Sequence, residues 1–173
     1  PVHEGRYAGH LVEISICDRR LTATPHHLVP ARLVPQQNQW LVYLMFRADQ
    51  RHRIGRTVDA RPPSVSHFQL GLVVRTNQEH ADALWVLRVC DSLAEAAYWE
   101  SWFAARYGLP TACFHGVGRD LAMDESWLAR LYAELDTETA AKALMADLLL
   151  SADNPHHRPQ NGAEYLESLR DGR

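Results

Sequence analysis

The chain has 173 residues, a formal net charge of −3 and 46% hydrophobic residues, room for one ordinary domain or two very small ones. That balance excludes an overall basic footprint for nucleic acid. No apolar run approaches the roughly 20 residues of a membrane span, and the first residues, PVHEGRYAGH, lack the apolar core of a secretory signal.

Residues 9–34 read as β. His10–Ile16 alternates in part, Asp18-Arg19-Arg20 turns the chain, and Leu21–Thr24 forms a second short strand. Pro25, Pro30 and Pro35 suit edge or irregular strands between Thr24 and the polar run 36–39. That polar run marks a module boundary. Trp40–Phe46 is a continuous apolar run of strand length, and Arg53–Val58 pairs with it as a hairpin. Residues 59–69, with Pro62-Pro63, are a loop. Leu70–Val74 reads as a short strand, and Asn77 as the cap of a short helix reaching Leu84. Trp85–Cys90 is the next strand.

Ser92 then opens a helix through Tyr107. Ser92 and Glu95 have capping-box spacing, Gly108 supplies the left-handed end and Pro110 prevents continuation. Leu93, Ala97, Glu100, Ala104 and Tyr107 fall on one face, with Ala96 and Phe103 beside it. Asp124 caps a helix with Trp127, Leu128, Leu131, Tyr132 and Leu135 on one stripe. Asp136 or Thr137 caps another, with Ala141, Leu144, Met145 and Leu148, so the two make an αα-hairpin. Asn154–Gly162 is extended, and the last twelve residues form a frayed helix.

Position and chemistry single out the candidate site residues. Glu100 sits inside an apolar face, where a carboxylate costs several kcal/mol unless it is paired or binds a metal. It can hold a hydrated Mg²⁺, which needs few protein ligands, pair with an arginine, or lie on a face that is only partly buried. Tyr43 lies mid-strand, where it either packs or acts. Arg75 precedes Thr76-Asn77 at a helix entrance and can grip a phosphate through its fork, or lie on the surface. His80 comes five residues later. Thr24 and His27 form a T-x-x-H pattern beside Pro25. Gly55 answers a packing or turn need. Arginine carries nearly all the positive charge, Lys142 being the single lysine; its fork suits phosphate, although a GC-rich genome gives the same bias. Three widely spaced cysteines, Cys17, Cys90 and Cys113, argue against a disulfide framework or a CxxC zinc site. A reducing, cytoplasmic setting is therefore expected.

These residues resemble two known modules. The stretch from Tyr43 through Glu100 resembles the GIY-YIG nuclease domain. Tyr43 matches the tyrosine of the first motif and Arg53-Ile54-Gly55 the second motif. Arg75 and His80 match the arginine and following histidine, Trp85–Val89 the third strand, and Ala96–Glu100 the glutamate helix. The sequence departs from the pattern in two places: Arg53 stands where the second motif has tyrosine, and the first motif lacks glycine. The resemblance implies Mg²⁺-dependent cleavage of double-stranded DNA, with Tyr43 assisting deprotonation of water, Arg75 stabilising the phosphate and Glu100 binding the metal. RRLTATPHHLVPARL resembles block B of an intein, the splicing fold shared with Hedgehog autoprocessing domains. There the threonine and histidine, here Thr24 and His27, activate the N-terminal splice junction. The whole arrangement is similar to inteins that interrupt UvrD-type DNA helicases, whose flanking intein and helicase segments would be its partners.

The expected architecture is α+β: a Hint-like β segment (1–36), a GIY-YIG-like domain with a small three-stranded, mainly antiparallel sheet flanked by helices (37–120), a helical hairpin (121–150) and a loosely ordered tail (151–173). The chain opens on Pro1 without an initiator methionine and lacks a C-terminal His-Asn pair followed by Cys, Ser or Thr. It is expected to be an interior segment of an intein-containing precursor that does not splice alone, carrying a homing-endonuclease-like phosphodiester hydrolase. The alternatives are a non-catalytic DNA-binding or structural insert of the same fold, and an unrelated α+β domain.

Overall fold

Two stretches of the chain fold as separate units, Pro1–Val34 and Pro35–Arg173. The computed structural model describes residues 6–25, 27, 38–61, 69–116 and 121–159. In the first unit β1 (Val12–Ile16) and β2 (Arg19–Ala23) form an antiparallel hairpin, Val12 facing Ala23 and Ile16 facing Arg19. Cys17 takes a left-handed backbone (φ 55) in the two-residue turn, as tight hairpin turns require. The strands expected around Pro30 and the helix expected at the C-terminus lie outside the described residues.

The second unit is built on an antiparallel hairpin of β3 (Trp40–Arg47) and β4 (Arg51–Val58), with Tyr43 opposite Gly55. The loop expected at 59–69 carries two short paired strands, β5 (Ala60–Arg61) and β6 (Gln69–Leu70). Next come α1 (Gly71–Glu79) and β7 (Ala83–Cys90), which pairs with the other side of β3 through a register shift at Val42/Tyr43. The sheet order is β4-β3-β7, so β4 and β7 are its edges. α2 (Leu93–Tyr107), α3 (Glu125–Glu134) and α4 (Thr137–Asp147) complete an α+β fold. No helix among the described residues is long and apolar enough to cross a membrane.

Alternation along β3 splits the interior into two cores. Val42 and Leu44 join Ile54, Ala96, Phe103 and Leu144 on the face covered by α2 and α4. Leu41, Tyr43 and Met45 join Leu72, Phe114 and Tyr132 on the face covered by α1 and α3. Burial of each such leucine contributes about 1.5–3 kcal/mol, so the sheet is held from both sides.

The helix caps reflect local chemistry. Ser92 Oγ accepts from Glu95 N at 3.1 Å, and Glu95 Oε2 accepts from Asp91 N at 3.1 Å. The reciprocal bond of the capping box thus falls one residue earlier than the usual partner. Gly108 ends α2 at φ 71. Asp124 Oδ1 accepts from Ser126 N and Trp127 N, and Asp136 Oδ1 from Thr139 N.

Three expectations are corrected. Of the strand expected over Leu70–Val74 only Leu70 lies in one, and Asn77 caps nothing: α1 starts at Gly71 and ends at Glu79, with His80 in the left-handed region (φ 50). Gly71 lies so close to β4 that a Cβ there would run into the Val58 carbonyl oxygen, and its N–H donates to Asp59 O at 2.9 Å. Tertiary anchoring overrides the β preference of Val73 and Val74. The buried stripe of α2 is Ala96, Glu100 and Phe103, while Leu93 is exposed; the helix is rolled away from the expected face. On α3 only Leu128 and Tyr132 of the expected stripe are buried, and Trp127 faces solvent.

Candidate functional site

Tyr43 lies under α1, fully enclosed in the second core. Its ring lies across Gly55: a Cβ on that glycine would come within 2.6 Å of the ring's Cζ and of Oη. This is the positional reason for glycine in mid-strand. Burial raises the phenol pKa, while the nearby Arg53 and Arg75 pull the other way.

The strongest polar feature of this face centres on Arg53, two residues before Gly55. Arg53 Nη1 donates to both oxygens of Glu79, at 2.7 and 2.8 Å, and Nη2 donates to Thr111 O at 2.8 Å. Glu79 Oε2 also accepts from Phe114 N at 3.1 Å. Arg53 is 4% exposed and Glu79 0%. Burial opposes charge on Arg53, but Tyr43 and Glu79 outweigh it and its pKa is raised. The network ties β4, the end of α1 and the 111–114 connector together. Tyr132 Oη closes the same region by donating to Ala112 O at 2.5 Å.

Arg75 projects from the middle of α1, not from a helix entrance. Its Nη1 reaches Gln78 Oε1 at 3.5 Å, and its buried Nε has no partner. His80, just past the helix, is exposed, and its ring stacks on His115 with centroids 5.2 Å apart. Tyr43 and Arg75 therefore share one face.

Glu100 is placed elsewhere. α2 packs on the opposite core, and the Glu100 carboxylate is held by Arg56 Nη1. Arg56 is the residue after Gly55 and so points away from Tyr43. The side chains of Glu100 and Arg56 are 11% and 38% exposed. The sequence left Glu100 three fates, a metal, an arginine or a partly buried face, and here it is buried against an arginine. Arg88 instead lies 3.9 Å over the Trp99 ring. The sheet separates Glu100 from Tyr43 and Arg75, so the expected meeting of the three at one point does not occur.

The fit to Mg²⁺ is poor as the side chains stand. The candidate ligand is already neutralised, and among the described residues no group of three or more His, Cys, Asp or Glu could hold a metal. A groove of about 480 Å³ lies between the end of α2 and α3, lined by residues such as Ala104, Leu109, Met123 and Leu131. None of the candidate residues lines it.

Thr24 and His27 belong to the first unit. His27 N donates to Thr24 O at 3.0 Å, which closes a turn just after β2, with His27 exposed. The turn brings the pair together as a T-x-x-H spacing allows.

Glu79 and Arg56 were not singled out by the sequence. Glu79 reads there as a first-turn residue of a helix that in fact ends with it. The available signal was Arg53 itself, a cation inside a strand that needs an acid. Compared with known protein families, curated proteins and solved structures, the chain matches none.

Proposed function

We propose that the chain is an interior segment of an intein-containing precursor of the kind that interrupts a UvrD-type helicase. Its larger unit is a GIY-YIG-like module descended from a Mg²⁺-dependent DNA endonuclease and kept as a non-catalytic insert. Support for the ancestry comes from the Tyr43–Gly55 hairpin packed against the Glu100 helix. Support for the Hint-like segment comes from the Thr24–His27 turn after a strand.

The observation that carries the non-catalytic reading is the buried Arg53–Glu79 pair. Arg53 stands where the second motif would supply a tyrosine, and its two terminal nitrogens are committed to Glu79 and Thr111, while its buried Nε has no partner. The Arg56–Glu100 contact acts in the same direction by occupying the would-be metal ligand. One observation favours the catalytic alternative: Arg75 keeps an unpartnered Nε beside Tyr43.

Incubation with supercoiled plasmid and Mg²⁺ or Mn²⁺ tests the reading. No nicking above a metal-free control is expected. Metal-dependent nicking that disappears in both Glu100→Gln and Arg75→Ala would overturn it in favour of an active phosphodiesterase. For the intein half, the coding sequence upstream of residue 1 decides: a Cys-led splice block supports it, and a start codon there removes it.

A further inference from the structure

The outer edge of β7 is covered by the segment 151–159. Leu84 and His157 form an antiparallel bridge, Leu84 N donating to His157 O at 2.9 Å and His157 N to Leu84 O at 3.1 Å. Trp85 Nε1 donates to Ser151 O at 2.8 Å. The next edge amide, Val86 N, donates to a side chain, His156 Nδ1, at 2.9 Å. A histidine ring thus stands in for a strand carbonyl. Covering an edge in this way blocks unwanted strand pairing.

That substitution has a chemical consequence. A carbonyl accepts at any pH, whereas imidazole accepts at Nδ1 only while neutral; the protonated ring carries N–H on both nitrogens. We propose that residues 151–159 form a pH-sensitive strap, docked on β7 while His156 is neutral and released when its ring takes up a proton.

His156 is exposed and so open to protons from solvent. His157, adjacent and less exposed, has a buried Nε2 without a partner, so its protonation also favours release. The other ionisable side chains carried by the two packed strands are Arg88 and Cys90 on β7 and Asp153 and Arg158 on the strap. Arg158 Nη2 lies 3.4 Å from Asp153 O, its donor turned along the strap. Partial burial against the protein lowers the pKa of both His156 and His157 below the ordinary 6.5. The released strap therefore binds more protons than the docked one, and docking is full above 6.5 and weakens as pH falls below it.

The test is amide exchange followed by NMR on the full chain between pH 7.5 and 5.5, corrected for intrinsic exchange. Protection of Val86 should fall by up to about tenfold per histidine titrated and should stay below that of Leu44 and Ile54 in the sheet centre, whose opening also releases the strap. The His156 ring resonance should titrate with a midpoint below 6.5. In His156→Asn, where Oδ1 replaces Nδ1 as an acceptor that does not titrate, the Val86 loss should shrink to the His157 share. Unchanged Val86 protection in the wild type would overturn the proposal. So would a ring midpoint at or above 6.5, or equal protection at Val86, Leu44 and Ile54, which would mean that Val86 exchanges only when the whole unit opens.

Discussion

Replacing Glu79 by glutamine breaks the Arg53 pair from one side while leaving the shape almost unchanged. The carboxylate accepts two bonds from Arg53 Nη1 and one from Phe114 N. Glutamine keeps one acceptor oxygen and turns an NH₂ group toward donors. Arg53 cannot shed its proton and is 4% exposed, so a cation remains buried without a counter-charge. Breaking a buried pair in this way costs about 3–5 kcal/mol, a large part of the ~5–15 kcal/mol that holds a domain together. Urea unfolding followed by far-UV circular dichroism should show a midpoint lowered by about 1 M or more, given slopes of about 1–3 kcal/mol per M. The double variant Arg53→Met/Glu79→Leu should recover most of the loss, because well-packed apolar residues often replace a buried pair at little cost. A single-variant loss below ~1 kcal/mol would mean the pair behaves like a solvated surface bridge. A double variant as weak as the single would mean that apolar packing does not replace the pair at this site.

Gly55→Ala should lower stability by about 1–3 kcal/mol, because its methyl would come within 2.6 Å of Tyr43 Cζ and Oη; an unchanged melting temperature would show that the Tyr43 ring is free to move aside. Acid should destabilise the larger unit through His52, which packs between Phe46 and Trp85. Burial holds its pKa down to about 4, against 6.5 when free; Glu138 pulls upward, and Arg51 and Lys142 downward. The unfolded chain takes up this proton first, so the stability tied to the neutral ring is fully present above 6.5 and drains away as pH falls toward 4. In His52→Gln the dependence of unfolding free energy on pH in that window should lose up to one proton; an unaltered slope would refute the assignment.

What was legible in the sequence was local. Ser92, Asp124, Asp136 and Gly108 cap their helices because a side-chain oxygen or a missing Cβ answers a need within four residues. The β3–β4 hairpin was legible because Trp40–Phe46 is strand-length and apolar throughout, as a strand buried on both faces must be. α1 was not, because its start depends on how closely Gly71 approaches Val58, a contact that neither segment encodes alone. Glu100 was legible as an acid in need of a partner, but not the partner itself. That choice depends on the phase of β4 against α2, which no count along the chain supplies.

The two arginines that bracket Ile54-Gly55 show why that phase matters. Arg53 and Arg56 are three residues apart on one strand, so they leave it on opposite faces. Each meets one acid: Glu79 from α1 and Glu100 from α2. A one-residue slip of β4 would turn Arg53 toward α2 and Ile54 toward α1, stranding Glu79 and removing Ile54 from its core. The pairs therefore favour one register of the strand between its two helices, the best-attested use of buried charge. Glu100 is kept away from Tyr43 because α2 packs on one face of the sheet while Tyr43 and α1 occupy the other. Bringing Tyr43, Arg75 and Glu100 to one phosphate would need a helix to change faces of the sheet, not a rotamer change at any one of them. The arrangement that specifies the fold is thus the one that holds the expected catalytic set apart.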